Sequence, residues 1–406
     1  MTANASHYDV SLQLSPRAGE LRAEVSLAYL VRTAAEKLEF ILHRSLGPVA
    51  VTGDDVVGSD WADGQSACPF ITDGATVTVW LGRRYSPGEV CRLRFTYAGH
   101  PGIASKWEVN RLTADWVELG LYAPWYPFRT DEPGTYRVAL TIDEPYDVIG
   151  LGMTERRADR WLITSAAPQT DMLLMAAPQL RLTERPTAVG PVAVYCAATA
   201  DLDYAARLAD DCGAALDWYG DWLGATGALA AKPTMVIVPR VVGGAYVRPG
   251  LVVMSRPDPA SKPDPVRSFG WVAHEMAHLW WLMAPTSTWE DWLNESFAEF
   301  SALTAIRRCF GDDAFAQRLA AMRARCEGVP PIAGLPRTHE QAHPALYTKG
   351  PVLLADLEAL IGRDLMTEFL RQTIERRVAS TADLLTLLAG VADDAAAASL
   401  DRGLHE

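Results

Sequence analysis

The sequence predicts an α+β chain, with an N-terminal antiparallel β domain followed by a small mixed sheet and a helical block. Three observations carry that prediction. Short runs between Tyr8 and Leu182 alternate apolar and polar residues with the period of a half-buried strand, whereas from Asp264 onward apolar residues recur at helical spacing. The length of 406 residues exceeds one ordinary core, since domains commonly run to about 100 to 200 residues. The composition, 49% hydrophobic and 21% charged, is that of a globular protein with ample material for packing.

Taken in order, "YDVSLQL", "LRAEVSLAYLV", "ATVTVWL", "VCRLRFTY", "YRVALTI" and "RWLITS" are the predicted strands, bounded by Gly, Pro, Asp and Asn. The aromatic and proline-rich segment "DWVELGLYAPWYPFRTDEPGTY" reads as a packed surface loop. The grammar changes after "TERPTAVGPV", which places a domain boundary between 185 and 186, giving a β domain at 1–185 and a catalytic domain at 186–406. Asp201 to Leu223 reads as a helix, and "TMVIVP" and "LVVMS" as strands bracketing a glycine-rich turn. Asp264 followed by Pro265 is an N-cap and first-turn pair, and Ser380 with Asp383 opens a late helix.

The net charge of −13 and the lack of any basic run exclude nucleic acid as a partner. No segment reaches the roughly 18 apolar residues needed to span a bilayer, and "MTANASHYDV" has no signal-peptide pattern, so a cytoplasmic protein with no membrane partner is expected. Cys68, Cys91, Cys196, Cys212, Cys309 and Cys326 are scattered without a C-x-x-C pair, which reads as buried thiols rather than a disulfide framework.

The chemistry concentrates in "WVAHEMAHLWW". Residues four apart share one face of a helix, so His274 and His278 can meet one ion while Glu275 stands beside them, the H-E-x-x-H pattern. Taken alone the pair is open to a second reading, two core histidines with no metal. A catalytic zinc needs a third protein ligand, and "WEDWLNESFAEF" offers Glu295 at the start of the next helix. Trp280, Trp281, Trp289 and Trp292 around these motifs are explained by core packing.

"HEMAHLWW", "WLNESFAEF" and "LYTKGPVLLADLEALIG", in that order, resemble the zinc aminopeptidases of the alanyl aminopeptidase and leukotriene hydrolase type, which are gluzincins. The resemblance covers most of the chain. It implies a saddle-shaped β domain followed by a thermolysin-like catalytic domain, and one zinc ion per chain held by His274, His278 and Glu295. It further implies Glu275 as general base and Tyr347 as hydrogen-bond donor to the oxyanion.

The pattern is broken in three places. Sixteen residues separate His278 from Glu295, about two fewer than the family has, and the loop "MAPTSTW" is where the difference is absorbed. The family's G-A-M-E-N motif, whose glutamate holds the substrate's α-amine, is here "GGAYVRPGLVV". Gly244 and Ala245 keep the register, Tyr246 lines the same wall, and Val247 stands where the glutamate would be. Valine accepts no hydrogen bond from an ammonium group, so the usual anchor is missing. Arg248 follows, either as a solvent-facing arginine or as a clamp for a substrate carboxylate. Glu118 falls near a family glutamine that helps bind the amine and is a candidate replacement, against the simpler reading of an exposed loop glutamate. Finally, large members carry a C-terminal helical domain that this sequence does not match, so a more open site is expected. His339 and His343 read as loop histidines rather than a second metal pair.

The sequence therefore predicts a zinc metallohydrolase cleaving a peptide or small amide, as a monomer or homodimer. The alternatives are hydrolysis of a non-peptide bond, such as an epoxide, on the same zinc site, or a binding protein without turnover.

Overall fold

A computed structural model describes residues 5–63, 71, 73–102, 109–130, 132–198, 202–224, 233–242, 244–256, 258 and 264–406. The chain divides into two compact units, one built from residues 1–181 with 197–200 and 238–244, the other from 182–196, 201–237 and 245–406. The expected boundary between 185 and 186 falls at the end of the strand Leu180–Arg185.

The first unit carries the expected strands. Its seven-stranded sheet includes Ser6–Ser15, Glu20–Leu30, Val90–Gly99, Gly134–Ile142 and Arg160–Gln169, and a three-stranded sheet includes Ala35–His43 and Gly74–Tyr85. Alternation works as a period-two pattern should: Tyr8, Val10, Leu12 and Leu14 are buried while the residues between them face outward. Pairing is antiparallel except that Ser6–Ser15 runs parallel to Gly134–Ile142, a long-range pairing that no local pattern encodes. The aromatic segment is not a surface loop. Trp116, Trp125, Tyr126 and Phe128 are buried, Trp125 Nε1 donates to Met172 O, and Phe128 bridges Ile41 in the second strand layer. So much aromatic area favours the interior even where the backbone is irregular.

The second unit opens with a five-stranded sheet in the order Leu180–Arg185, Val192–Ala197, Thr234–Val238, Leu251–Ser255, Ala245–Arg248. Val192–Ala197 and Thr234–Val238 are parallel, joined through helix α1 (Leu202–Leu223), whose buried Ala205, Leu208, Cys212, Leu216 and Tyr219 recur every three or four residues. Asp201 lies outside the described residues. The stretch read as a glycine-rich turn contains an edge strand, Ala245–Arg248, which returns to Leu251–Ser255 through Pro249–Gly250. Gly250 has φ +79°, as the second position of a type II turn requires.

The helical block follows with α2 (Pro265–Ala277), α3 (Trp292–Phe310), α4 (Asp312–Ala324), a single turn α5 (Ala342–Pro344), α6 (Gly350–Ile361), α7 (Arg363–Glu375), α8 (Thr381–Val391) and α9 (Asp394–His405). Asp264 caps α2, accepting from Arg267 N with Pro265 in the first turn, and Ser380 caps α8 by accepting from Asp383 N. None of the described cysteines is in a disulfide; Cys91, Cys196 and Cys212 are buried, Cys326 is half-buried, and Cys309 is exposed, against expectation. Cys68 lies outside the described residues. Among those residues no helix is long and apolar enough to cross a membrane.

Candidate metal centre

Helix α2 ends where its chemistry begins. His274 lies in its last turn and His278 caps it, both buried, with Tyr219 of α1 anchoring the helix by donating to Ala273 O. Glu295 comes from the first turn of α3. Its Oε2 lies 3.3 Å from His274 Nε2 and 3.4 Å from His278 Nε2, and the three donor atoms lie within 4.8 Å of one another.

That spacing tests the fit to zinc. Tetrahedral ligands at about 2.0 to 2.1 Å from an ion stand about 3.3 to 3.4 Å apart, matching both glutamate–histidine edges. Glu295 Oε2 is buried with no hydrogen-bond partner in the protein, a costly state that a cation removes. Burial alone would raise the Glu295 carboxyl, but the His278 and His274 imidazoles outweigh it and hold it well below the usual range. Burial likewise opposes a charge on His274, yet Glu295 and Glu299 overcome it and lift the imidazole well above its ordinary value. The pocket therefore favours positive charge.

Each imidazole has an oxygen behind it. His278 Nδ1 lies 2.9 Å from Trp281 O, and His274 Nδ1 lies 3.0 Å from Glu299 Oε2. Glu299 was missed by the sequence reading, although it stands four residues after Glu295 and so on the same helical face. Glu275 is buried beside the histidines, and burial pushes its carboxyl up.

Asn294 explains how the short loop is accommodated. Its Oδ1 accepts from Met283 N and Ala284 N, and its Nδ2 donates to Ala284 O and to Asp291 Oδ1, so every hydrogen-bonding site is used. Asp291 also meets Arg337 at 2.9 Å. Trp280, Trp281 and Trp292 are buried as expected, and Trp289 is half-buried.

Tyr347 sits in a π-helical turn, Ala345–Lys349, a backbone irregularity that re-aims side chains. Its ring stacks between His274, at 5.6 Å between centroids, and His343, at 4.3 Å. His343 thus belongs beside the oxyanion candidate rather than to a second metal pair. Burial and the Glu295 carboxylate raise the Tyr347 phenol well above its ordinary value, keeping it a proton donor.

The remaining sequence candidates fall in two places. Arg248 is buried, not turned to solvent; its guanidinium lies 5.0 Å from the Tyr246 ring and Nη1 donates to Val247 O. Ala245 and Val247 alternate with Tyr246 and Arg248 along the edge strand, and Gly244 precedes it with φ +58°. In the first unit, Glu118 is no exposed loop residue: it lies on the strand Val117–Leu119, fully buried, 3.5 Å from Arg240 Nη2.

Residues 214–401, which contain all three donors, Glu275 and Tyr347, match the peptidase family M1 domain. This stretch is an M1 peptidase domain. The M1 match, with the donor set, makes the protein a zinc metallohydrolase with a catalytic zinc ion. No curated protein sequence matches the chain.

Solved structures show the same fold. The M1 zinc metallopeptidase from Deinococcus radiodurans has 22% identity and a TM-score of 0.69, with 100% of this chain and 95% of that one covered. A variant of the D. radiodurans enzyme bound to a Tyr-Ser-Ala substrate has 22% identity, a TM-score of 0.70 and coverage of 99% and 94%. A two-domain M1 zinc metallopeptidase variant bound to L-tryptophan has 21% identity, a TM-score of 0.71 and coverage of 100% and 96%.

Proposed function

We propose that this M1 protein is an aminopeptidase-like zinc metallopeptidase, working in the cytoplasm, with an altered amine anchor and a preference for a carboxylate-bearing peptide or amide. The observation that carries hydrolysis is the convergence of His274 Nε2, His278 Nε2 and Glu295 Oε2 beside a buried Glu275 and a stacked Tyr347. When bound, zinc supplies a Lewis acid for a carbonyl oxygen and makes water more acidic. Glu275, whose carboxyl burial raises above its ordinary value, takes a proton from the attacking water and returns it to the leaving amine. Tyr347 donates to the oxygen on which negative charge develops.

Val247 supports the altered anchor, because a valine leaves no acceptor for an α-ammonium group. Arg248, held against Tyr246, is our candidate for the carboxylate. Glu118 enters the reading only if it exchanges Arg240 for a substrate amine, which Glu118→Gln tests.

The deciding experiment profiles metal-quantified protein against a mass-spectrometric peptide library with free and N-acetylated termini, with Glu275→Gln as control. Stepwise loss of single residues that stops in Glu275→Gln supports the peptidase reading, and dependence on a free amine supports the exopeptidase part of it. No product from any peptide overturns it. For the substrate preference, Arg248→Ala should lose activity selectively on acidic or carboxylate-bearing substrates; an equal loss on neutral ones removes that preference.

A further inference from the structure

The ring of Tyr347 is held from two sides. His274, at the end of α2, covers it at 5.6 Å between centroids with the planes inclined by 27°, and His343, in α5, covers it at 4.3 Å with the planes only 9° apart. The two flanking rings differ in setting. His274 is buried in the metal pocket, whereas His343 is an exposed residue. The chain passes from α5 directly into the π-helical turn Ala345–Lys349, and residues four apart in a helical path lie one above the other, so His343 is placed to cover the phenol of Tyr347.

We propose that His343 is a positioning residue for the reaction: its imidazole closes the outer face of the Tyr347 ring and so fixes where the phenol oxygen stands. The proposal rests on Tyr347 being the donor to the oxyanion. A tyrosine side chain turns about two bonds and has several staggered positions open to it. A ring packed on its inner face alone can swing outward; packed on both faces, it keeps one position. That matters for this role more than for an ordinary core tyrosine, because an oxyanion donor acts only when it stands about 2.7 to 3.1 Å from the oxygen that gains charge. Near-parallel stacking of the kind seen between His343 and Tyr347 supplies the restraint without a hydrogen bond, so a flat ring is what position 343 requires rather than a nitrogen.

The test is steady-state kinetics of zinc-loaded His343→Ala, His343→Phe, Tyr347→Phe and the double variant His343→Ala/Tyr347→Phe, on the peptide that wild type cleaves fastest, alongside the Tm of each. His343→Ala is expected to lower kcat about 3- to 10-fold with KM unchanged, the range that the loss of one aromatic stack gives, because the phenol acts in the transition state. His343→Phe should restore kcat to within about twofold of wild type, since it keeps the stack. In the Tyr347→Phe background, His343→Ala should cost nothing further, as expected of two residues acting through one group. An imidazole that merely packs would change Tm and leave kcat alone. Unchanged kcat in His343→Ala, a loss in His343→Phe as large as in His343→Ala, or an undiminished loss in the Tyr347→Phe background would each overturn the proposal. Full activity in Tyr347→Phe would remove the oxyanion reading itself, a different failure. A second measurement needs neither substrate nor metal: a crystal structure of metal-free His343→Ala should show the Tyr347 ring displaced or split between rotamers, and a single unchanged rotamer would overturn the proposal.

Discussion

Gly350 packs against Ser296 so closely that a Cβ on the glycine would lie 1.9 Å from the serine Oγ. The same hydroxyl donates to Leu346 O at 2.7 Å, so the residue next to Glu295 is bonded to the turn that carries Tyr347. The glycine of "YTKG" is thus a spacing device: it lets α6 and its preceding turn approach α3 until the phenol reaches the metal pocket. Gly350→Ala should destabilise the protein by about 1 to 3 kcal/mol through overpacking. It should also lower kcat/KM by more than the stability loss accounts for, since misplacement by about 1 Å can cost 100-fold. Adding Ser296→Gly removes the clash and should recover most of the stability in a thermal melt. No recovery would mean the contact is not what Gly350 serves.

Asn294 should prove as important as a ligand without being one. It is 1% exposed and its four hydrogen bonds hold the loop between the two metal helices. Asn294→Ala strands the amides of Met283 and Ala284 and should cost about 2 to 4 kcal/mol. Asn294→Asp should be worse at neutral pH, because it sets a second carboxyl against Asp291, already pushed up to about 6 by burial and by Glu295. Hydrogen exchange at Met283 and Ala284 checks the mechanism; unchanged protection in Asn294→Ala would sink it.

Metal removal should lower both activity and thermal stability. Chelation leaves Glu295 Oε2 buried and unsatisfied, and a ligand that binds only the folded state adds about RT ln(1 + [L]/Kd) to stability. Protons compete for the same imidazoles, so the Tm gap between zinc-loaded and metal-free protein should be widest near pH 8 and shrink toward pH 5. Equal Tm values with and without zinc at pH 8 would contradict the site.

How much of this was legible in the sequence follows from how local each feature is. The strands of the first unit and the helix of His274 were readable because periods of two and 3.6 are written residue by residue. Asp264 and Ser380 were readable because caps act within one turn. The parallel pairing of Ser6–Ser15 with Gly134–Ile142 was not, since its partners are far apart in sequence. The aromatic segment misled because Pro and Gly signal a loop, while Trp116 and Trp125 gain more from burial than the backbone loses by irregularity. In the metal centre, the spacing of His274 and His278 is a local signal, and the need for a third ligand pointed to Glu295 on the next helix, but Tyr347 was placed by resemblance. Glu299 was overlooked although its four-residue offset from Glu295 was in plain view, because an acidic residue on a helix face is usually just solvated.

A pH effect separate from the metal should come from Asp211 on α1. Burial, reinforced by the neighbouring Asp210 and only partly offset by Arg207, pushes its carboxyl up to about 6, against an ordinary value of 3.8. A folded-state value above the unfolded one means that the native protein binds this proton more tightly. Between about pH 4 and pH 6 the folded state holds more protons than the unfolded state, so stability falls as pH rises through that window and the penalty is complete above it. Asp211→Asn removes a titrating charge without changing shape and should therefore stabilise the protein above pH 6. Because the side chain is only partly buried, solvent screening limits the gain to about 1 kcal/mol. The gain should vanish below about pH 4, where wild-type Asp211 is neutral in both states. Thermal melts of metal-free wild type and Asp211→Asn at pH 4, 6 and 8 check this without interference from the zinc site. A variant advantage that grows as pH falls would show that the carboxyl is stabilised as an anion and that the sign is wrong.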